Sequence, residues 1–136
     1  MPASPGFTLR FSAPAADVDG LGHVSNIAYV RWIQEAAVAH SAAVGLDFEA
    51  YRRLGAVFLV RRHEIDYLAP VLGGEEVALT THVETFRGAS SERHTAVVAG
   101  GDRRVARAVT TWAFVSLESG RPTRIPDDVL AAFARG

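Results

Sequence analysis

Cysteine and lysine are both absent from the 136 residues of this chain. Without cysteine, the chain can form no disulfide, thiolate nucleophile, Cys-ligated zinc site or iron–sulfur cluster. Without lysine, Schiff-base chemistry and a P-loop lysine are excluded as well. The chemistry therefore depends on carboxylates, imidazoles, hydroxyls, amides or the backbone, with 14 arginines as the cationic side chains.

Charge excess and long apolar runs are also lacking. The formal net charge is −1, so nothing attracts the whole molecule to nucleic acid or to an anionic membrane. The first ten residues carry no basic segment followed by an apolar run, and no stretch approaches the ~20 apolar residues of a membrane span. We therefore expect a cytoplasmic protein that binds neither nucleic acid nor membrane.

Nearly half of the residues, 49%, are hydrophobic, which is enough for one domain with a substantial core, over residues 1–136. The alanine-rich run Ile27–Val44 predicts a long helix, buried on most sides because so few of its side chains are polar. Ser25 or Asn26 is suited to cap its first turn, and Gly45 to end it.

A second, short helix is predicted over Phe48–Leu54, with Asp47 as its cap and Gly55 as its stop. The segment from Arg121 to Ala134 indicates a proline-broken turn and a short terminal helix.

Five segments alternate in the manner of β-strands and are separated by glycine-rich turns. They are Phe7–Phe11, expected at a sheet edge, and Val57–Leu68, Glu76–Phe86, Ser91–Ala99 and Arg103–Leu117. A long apolar helix followed by a four-strand meander predicts an α+β domain whose sheet of about five strands curves around that helix.

The segment Asp17–Asn26 contains two carboxylates, two glycines and an imidazole directly before the long helix. A carboxylate can act as a base or a nucleophile, and the start of a helix offers unpaired N–H groups to a developing oxyanion. Taken alone, the residues favour a simpler interpretation, in which Asp17 or Asp19 only shapes an Asx turn.

The motif Asp-x-Asp-x-x-Gly-His-Val-x-Asn, starting at Asp17, is followed by Tyr29 and Trp32 on the predicted helix. Further matching features are Ile65-Asp66-Tyr67 before Pro70 and Gly73-Gly74, then Gly120-Arg121-Pro122 and Ile125-Pro126. Together these resemble the hot-dog-fold acyl-CoA thioesterases, and most closely the 4-hydroxybenzoyl-CoA thioesterase branch. The resemblance implies a hot-dog fold, hydrolysis of an acyl-CoA or acyl-ACP, and a homodimer or homotetramer. The sequence motifs indicate no metal, and we expect no cofactor other than coenzyme A as part of the substrate.

The resemblance also implies roles for individual residues. The position of Asp19 is that of the catalytic carboxylate, and backbone amides near Asn26 would polarise the thioester carbonyl. His23 either lines the site or is a loop histidine satisfied by the backbone. Asn26 is first a helix cap and second a substrate contact, while Asp17 supports the loop.

Five further residues are candidates for substrate binding. Gly22 would give the substrate clearance, and Tyr29 would line the acyl pocket or belong to the core. By the resemblance, Arg87 would contact a coenzyme A phosphate, and Ser90 or Ser91 would offer a hydroxyl to the acyl pocket. The alternative, which the residues alone favour, is a solvated hairpin. Glu35 is assigned instead to a surface pair with Arg31.

Other chemistry is poorly supported. His63-Glu64 and His82-Val83-Glu84 are only fragments of metal-binding motifs, and no Gly-x-Ser-x-Gly motif is present. The alternatives to hydrolysis are a hot-dog hydratase or dehydratase, which requires a differently placed histidine and acid, and a noncatalytic module that binds acyl thioesters.

Overall fold

The computed structural model describes residues 2–136. Its elements are β1 (Phe7–Ser12), α1 (Asn26–Ala43), α2 (Phe48–Leu54), β2 (Ala56–Tyr67), β3 (Glu76–Arg87), β4 (Ser90–Ala99), β5 (Arg103–Ser116) and α3 (Asp127–Arg135). The predicted strands and first two helices are confirmed, with boundaries that differ by at most one residue. The terminal helix is confirmed beyond Pro126.

The five strands form one antiparallel sheet in the order β1-β3-β4-β5-β2. β1 is therefore an edge strand, as predicted, and the 12-residue β2 is the other edge. The predicted four-strand meander is wrong, because β2 pairs with β5 and not with β3, so only β3, β4 and β5 are consecutive neighbours in the sheet. The β3–β4 hairpin closes at the pair Arg87↔Ser90, through Gly88 at φ 59°. A positive φ of this kind favours glycine, which carries no Cβ.

One face of α1 packs against the sheet, with Ala28, Trp32, Ile33 and Ala36 in the core. The expectation that α1 is buried on most sides is wrong. Its opposite face, including Ile27 and Val38, is exposed, because the sheet covers only one side of the helix. No helix within residues 2–136 is long and apolar enough to cross a bilayer.

Two core clusters occupy the two ends of the domain. The first lies between the amino-terminal part of α1 and the sheet, and includes Trp32, Leu79 and Val105. The second contains Phe114 and Phe133, and so places α2 and α3 at the carboxyl-terminal end of α1. Each end of α1 therefore has its own surroundings. The polar and titratable residues that could bind a ligand or take part in a reaction are divided between the two ends.

Candidate active site

The loop that precedes α1 is a tight turn fixed by its own backbone. The Asp19 amide donates to the His23 carbonyl at 2.8 Å, and the Gly22 amide donates to the Asp19 carbonyl at 3.1 Å. Gly22 lies at φ 81°, a conformation that side chains disfavour. The loop is held to the β2–β3 connection, where the Val24 amide donates to the Val71 carbonyl at 2.8 Å.

Asp17 anchors this loop to α1. Its buried carboxylate accepts hydrogen bonds from Arg31 and, at 3.0 Å, from the Trp32 indole. The hydrogen bond from Arg31 is the main reason that the pKa of Asp17 lies below its usual value. Arg31 also contacts Glu35 at 3.3 Å, which is the predicted helical pair. Asp17 therefore has the structural, supporting environment that was expected of it.

Asp19 forms an Asx turn with one carboxylate oxygen and leaves the other unpaired. Oδ1 accepts from the Leu21 amide at 2.9 Å and the His23 amide at 3.3 Å. Within residues 2–136, Oδ2 has no hydrogen-bond donor, and the residue is exposed. The turn fixes the direction of the carboxylate, so the structural and chemical interpretations of Asp19 are compatible.

Ser25, rather than Asn26, caps α1. The Ser25 hydroxyl accepts from the Ile27 amide at 3.2 Å, and the Ser25 carbonyl accepts from the Ala28 amide at 3.0 Å. The Asn26 amide has no acceptor in the part of the chain that the structure describes. This N–H is therefore available at the positive end of the helix dipole.

His23 and Tyr29 border the same region in different ways. His23 is half-buried, and its backbone forms a bridge with Leu72. Tyr29 is only 3% exposed and packs edge-on against Tyr67, with ring centroids 5.2 Å apart. Burial raises the pKa of the Tyr29 hydroxyl. Tyr67 donates from its own hydroxyl to the Asn26 carbonyl at 3.3 Å, so these two tyrosines support the start of α1.

The remaining predicted substrate contacts lie at the far end of the sheet. β3 begins at Glu76, beside the loop, and reaches Arg87 after about 36 Å at a typical rise per residue. Arg87 and Ser90 are exposed in the hairpin, whereas Ser91 is buried. One chain therefore gathers Asp19, Gly22, His23, Asn26 and Tyr29 at one end, and it does not bring Arg87, Ser90 or Ser91 to them.

Sequence reasoning missed a cavity at that far end. The cavity has a volume of about 150 Å³ and lies between the carboxyl-terminal half of α1, α2, α3 and the sheet. Ser91 and Arg93, both on β4, are in its lining. The alternation of β4 could have predicted that Arg93 is buried, because Arg93 lies on the same face of the strand as the buried Thr95 and Val97.

It also missed a cluster on the outer face of the sheet. Strand pairing sets His94 opposite His82, so that donor atoms of His82, Glu84 and His94 lie within 4.8 Å of one another. Each imidazole also contacts a glutamate, His82 with Glu84 at 2.6 Å and His94 with Glu92 at 2.8 Å. Linear spacing does not show this group, because its members come from two strands.

The match to known proteins covers almost the whole chain. The family model of the thioesterase-like superfamily matches residues 13–133. No curated protein matches the chain at the sequence level.

Solved structures share the fold at low sequence identity. A proposed oleoyl thioesterase from Lactobacillus plantarum has a TM-score of 0.91 at 16% identity, over 96% of this chain and 51% of the other. A 1,4-dihydroxy-2-naphthoyl-CoA thioesterase from Synechocystis has a TM-score of 0.86 at 18% identity, over 95% of this chain and 96% of the other. A hypothetical protein from Staphylococcus aureus, in complex with CoA, has a TM-score of 0.88 at 12% identity, over 99% of this chain and 87% of the other. The chain thus spans about half of the first protein and nearly all of the second, and the predicted hot-dog fold is confirmed.

Proposed function

The chain belongs to the thioesterase-like superfamily, and we propose that it hydrolyses acyl-CoA or acyl-ACP thioesters to a carboxylic acid and a free thiol. Its membership confirms the prediction of a thioesterase. The proposal depends on one juxtaposition in the loop before α1. A fixed carboxylate with a free oxygen, on Asp19, lies a few residues before a free helix-terminal amide, on Asn26.

The two groups have complementary tasks in hydrolysis. The Asn26 amide donates to the carbonyl oxygen of the thioester and stabilises the oxyanion that forms when the carbonyl carbon is attacked. Asp19 Oδ2 removes a proton from a water molecule, whose oxygen forms the new bond to that carbon. The Leu21 and His23 amides hold Oδ1 and so fix the direction from which Oδ2 acts.

Collapse of the tetrahedral intermediate breaks the carbon–sulfur bond. The electron pair leaves with sulfur, and the proton held on Asp19 returns to the thiolate, which regenerates the carboxylate. A second route is open to the same geometry, in which Oδ2 attacks the carbonyl and the resulting mixed anhydride is hydrolysed. Under either route Gly22 gives the acyl group clearance, and His23 and Tyr29 border the site.

A dry site requires a second subunit, because Asp19 is exposed in the single chain. Apolar side chains are exposed all around it: Leu21, Ile27, Tyr67, Leu68 and Leu72. A group of large exposed apolar side chains of this kind is typical of an interface. The long edge strand β2, which ends at Tyr67, also has an unpaired side. We assign this loop-end patch to a homodimer interface, within a dimer or a tetramer.

The same assembly accounts for the distant hairpin. Arg87 has no acidic partner within 4 Å in residues 2–136, and arginine binds phosphate through a planar fork of donors. A hairpin contributed by the partner subunit would bring Arg87 and Ser90 to a coenzyme A held at the loop of the first subunit. The CoA complex of the Staphylococcus aureus protein is consistent with this ligand. A cytoplasmic location also remains part of the proposal.

Thiol release across a panel of acyl-CoAs tests the activity. The panel contains aromatic, short-chain and long-chain acyl groups at matched concentration, and free thiol is measured alongside hydration of enoyl-CoA. Hydrolysis of at least one member, in proportion to the acid formed, is expected. Hydration without free thiol would identify a hydratase, and calorimetric binding without any turnover would identify a noncatalytic binding module.

A further inference from the structure

Within one chain, the cavity at the far end of α1 is separate from the loop of the proposed hydrolysis. None of Asp19, His23, Asn26 and Tyr29 lines it. Along α1, Ser41 in the cavity wall lies about 22 Å from Asn26. Its occupant must therefore be inferred from the cavity's own chemistry.

Arg93 places a buried cation in this cavity, and the one carboxylate of the lining, Asp47, caps α2 by accepting from the Ala50 amide at 2.8 Å and forms no ion pair with Arg93. The residue is 5% exposed, and no acidic group lies within 4 Å of it in the described chain. Its Nη1 donates to His40 Nδ1 at 2.9 Å and to the Thr81 hydroxyl at 3.1 Å. A guanidinium has five N–H donors, so the three on Nε and Nη2 remain available.

Those remaining donors open onto the cavity. The side-chain nitrogens in residues 2–136 that are both sealed from solvent and unpartnered are His63 Nε2 and Trp112 Nε1. Arg93 Nε and Nη2 also have no hydrogen-bond partner, but they do not belong to this sealed group, which means that they are accessible to solvent. Since Arg93 lines the cavity and is otherwise enclosed, the accessible part of its guanidinium faces the cavity.

Ser91 adds a second free donor on the same side of β4. It lies two residues before Arg93, is 5% exposed, and has no side-chain hydrogen bond in the described chain. The other hydroxyls of the lining are occupied, because Ser41 Oγ contacts the Leu46 carbonyl at 2.7 Å and the Tyr51 hydroxyl at 2.6 Å. Besides the Trp112 indole N–H, which is unpartnered but sealed from solvent, Arg93 and Ser91 thus hold the polar groups available to a ligand.

An unbalanced charge in such surroundings is unfavourable. Burial of a cation without a counter-charge costs on the order of several kcal/mol in proteins. The same burial lowers the pKa of Arg93 to about 10. His40 supplies no compensating negative charge, and burial lowers its pKa to about 4, so it is neutral at pH 7. An anion beside Arg93 would remove this penalty.

The walls define the rest of the ligand. Val83, Phe58, Phe86 and Trp112 give the cavity an apolar surface. Its volume of about 150 Å³ equals that of an engineered protein cavity that binds benzene. A ligand that fits therefore combines one negative group with an apolar body the size of a single ring.

We propose that this cavity binds the carboxylate of a small apolar acid, with the carboxylate accepting from Arg93 Nε and Nη2 and from the Ser91 hydroxyl, and with the ring or short chain against the aromatic wall. Two sources supply this chemistry. One is the free acid, and the other is an acyl thioester that carries a second, distal carboxylate. The binding itself does not depend on the proposed hydrolysis.

Calorimetry with benzoate and its neutral isostere benzamide, at pH 7, tests the charge requirement. We expect benzoate to bind at least tenfold more tightly than benzamide to the wild-type protein. We expect Arg93→Gln to remove that preference, and Ser91→Ala, which changes only one hydroxyl, to weaken benzoate several-fold. Equal affinity for the two compounds, no binding of benzoate, or an unchanged benzoate affinity in both variants would overturn the proposal.

Inhibition of thiol release then separates the two sources. Benzoate that competes with acyl-CoA places the cavity within the acyl site and points to a thioester with a distal carboxylate. Benzoate that inhibits noncompetitively, or binds without inhibition, points to a free acid at a separate site. Both results support the carboxylate site, and calorimetry tests that site even if no thioester is hydrolysed.

Discussion

The charged groups at the two ends of α1 differ in exposure and in hydrogen-bond partners. At the amino-terminal end, Asp19 is exposed, and backbone amides of its own loop fix one of its oxygens. At the carboxyl-terminal end, Arg93 is buried and has no acidic partner within residues 2–136. Its guanidinium forms hydrogen bonds with His40 and Thr81 and lies over the Phe133 ring, 5.8 Å from the centroid. The first end is an open loop that carries the proposed reaction site, and the second holds a buried cation.

This difference indicates what each end lacks. The proposed reaction at the loop needs exclusion of water, which a second subunit covering the exposed apolar side chains around Asp19 would provide. The cavity has an apolar wall beside its buried cation and lacks a counter-charge, which a bound anion would provide. The predictions below test whether the two ends are as independent as this comparison requires.

Ile27→Asp is expected to have the largest effect on assembly. Ile27 is 78% exposed within the loop-end patch, and a charge buried at the centre of an interface weakens association by about 3 kcal/mol, roughly 100-fold. Sedimentation should show mostly monomer at concentrations where the wild type is oligomeric. Ala42→Asp, on the exposed side of the other end of α1, is the control and should not dissociate the oligomer.

Asp17→Asn should lower the free energy of unfolding by about 1–2 kcal/mol at pH 7, because it weakens hydrogen bonds from Arg31 and Trp32. The pKa of Asp17 is lowered in the folded state, so its stabilisation is present above the unfolded pKa of about 3.9 and is lost as the pH falls through the folded value. Urea unfolding should therefore show the difference between wild type and variant shrinking below about pH 4.

The exposed pair between Asp66 and Arg107, at 2.9 Å, gives a matched control for that measurement. Asp66→Asn should change the unfolding free energy by less than about 0.5 kcal/mol. Equal losses from Asp17→Asn and Asp66→Asn would show that burial of Asp17 does not anchor the loop.

Gly22→Ala should destabilise the protein by about 1 kcal/mol, because a Cβ is unfavourable at φ 81° even in open space. Gly20→Ala is the comparison within the same loop, since Gly20 has no positive φ and its Cβ would meet nothing within 4 Å. Thermal unfolding should leave Gly20→Ala unchanged or slightly stabilised. A similar loss of stability in both variants would show that the positive φ of Gly22 is not what makes this position sensitive to substitution.

Arg87→Ala should have the smallest effect, an increase in KM for acyl-CoA of about threefold with kcat unchanged, because it removes one exposed phosphate contact. Arg10→Ala, which removes an exposed arginine on β1, should leave KM unchanged. A fall in kcat for Arg87→Ala would mean that the hairpin takes part in the chemical step.

The sequence predicted the elements well because local patterns determine them. Alternation located the strands, and Ser25, Asp47 and Gly55 marked helix ends as caps and stops do generally. The Asx turn at Asp19 was also predictable, since Asp19 forms it with neighbours in the chain.

Contacts between distant residues could not be predicted in this way. Arg93 is buried because the cavity forms where α1, α2, α3 and β4 meet, which depends on the whole fold. The cluster of His82, Glu84 and His94 depends on strand register. The exposed face of α1 looked buried in the sequence because alanine is compatible with both environments.

The most direct test of the account is the rate of thiol release by Asp19→Asn under saturating acyl-CoA. We predict that kcat falls by about 100-fold or more while substrate still binds, and that Asp102→Asn, in the exposed β4–β5 turn, keeps the wild-type rate. An Asp19→Asn enzyme with wild-type kcat would contradict the central claim that this carboxylate acts on the thioester.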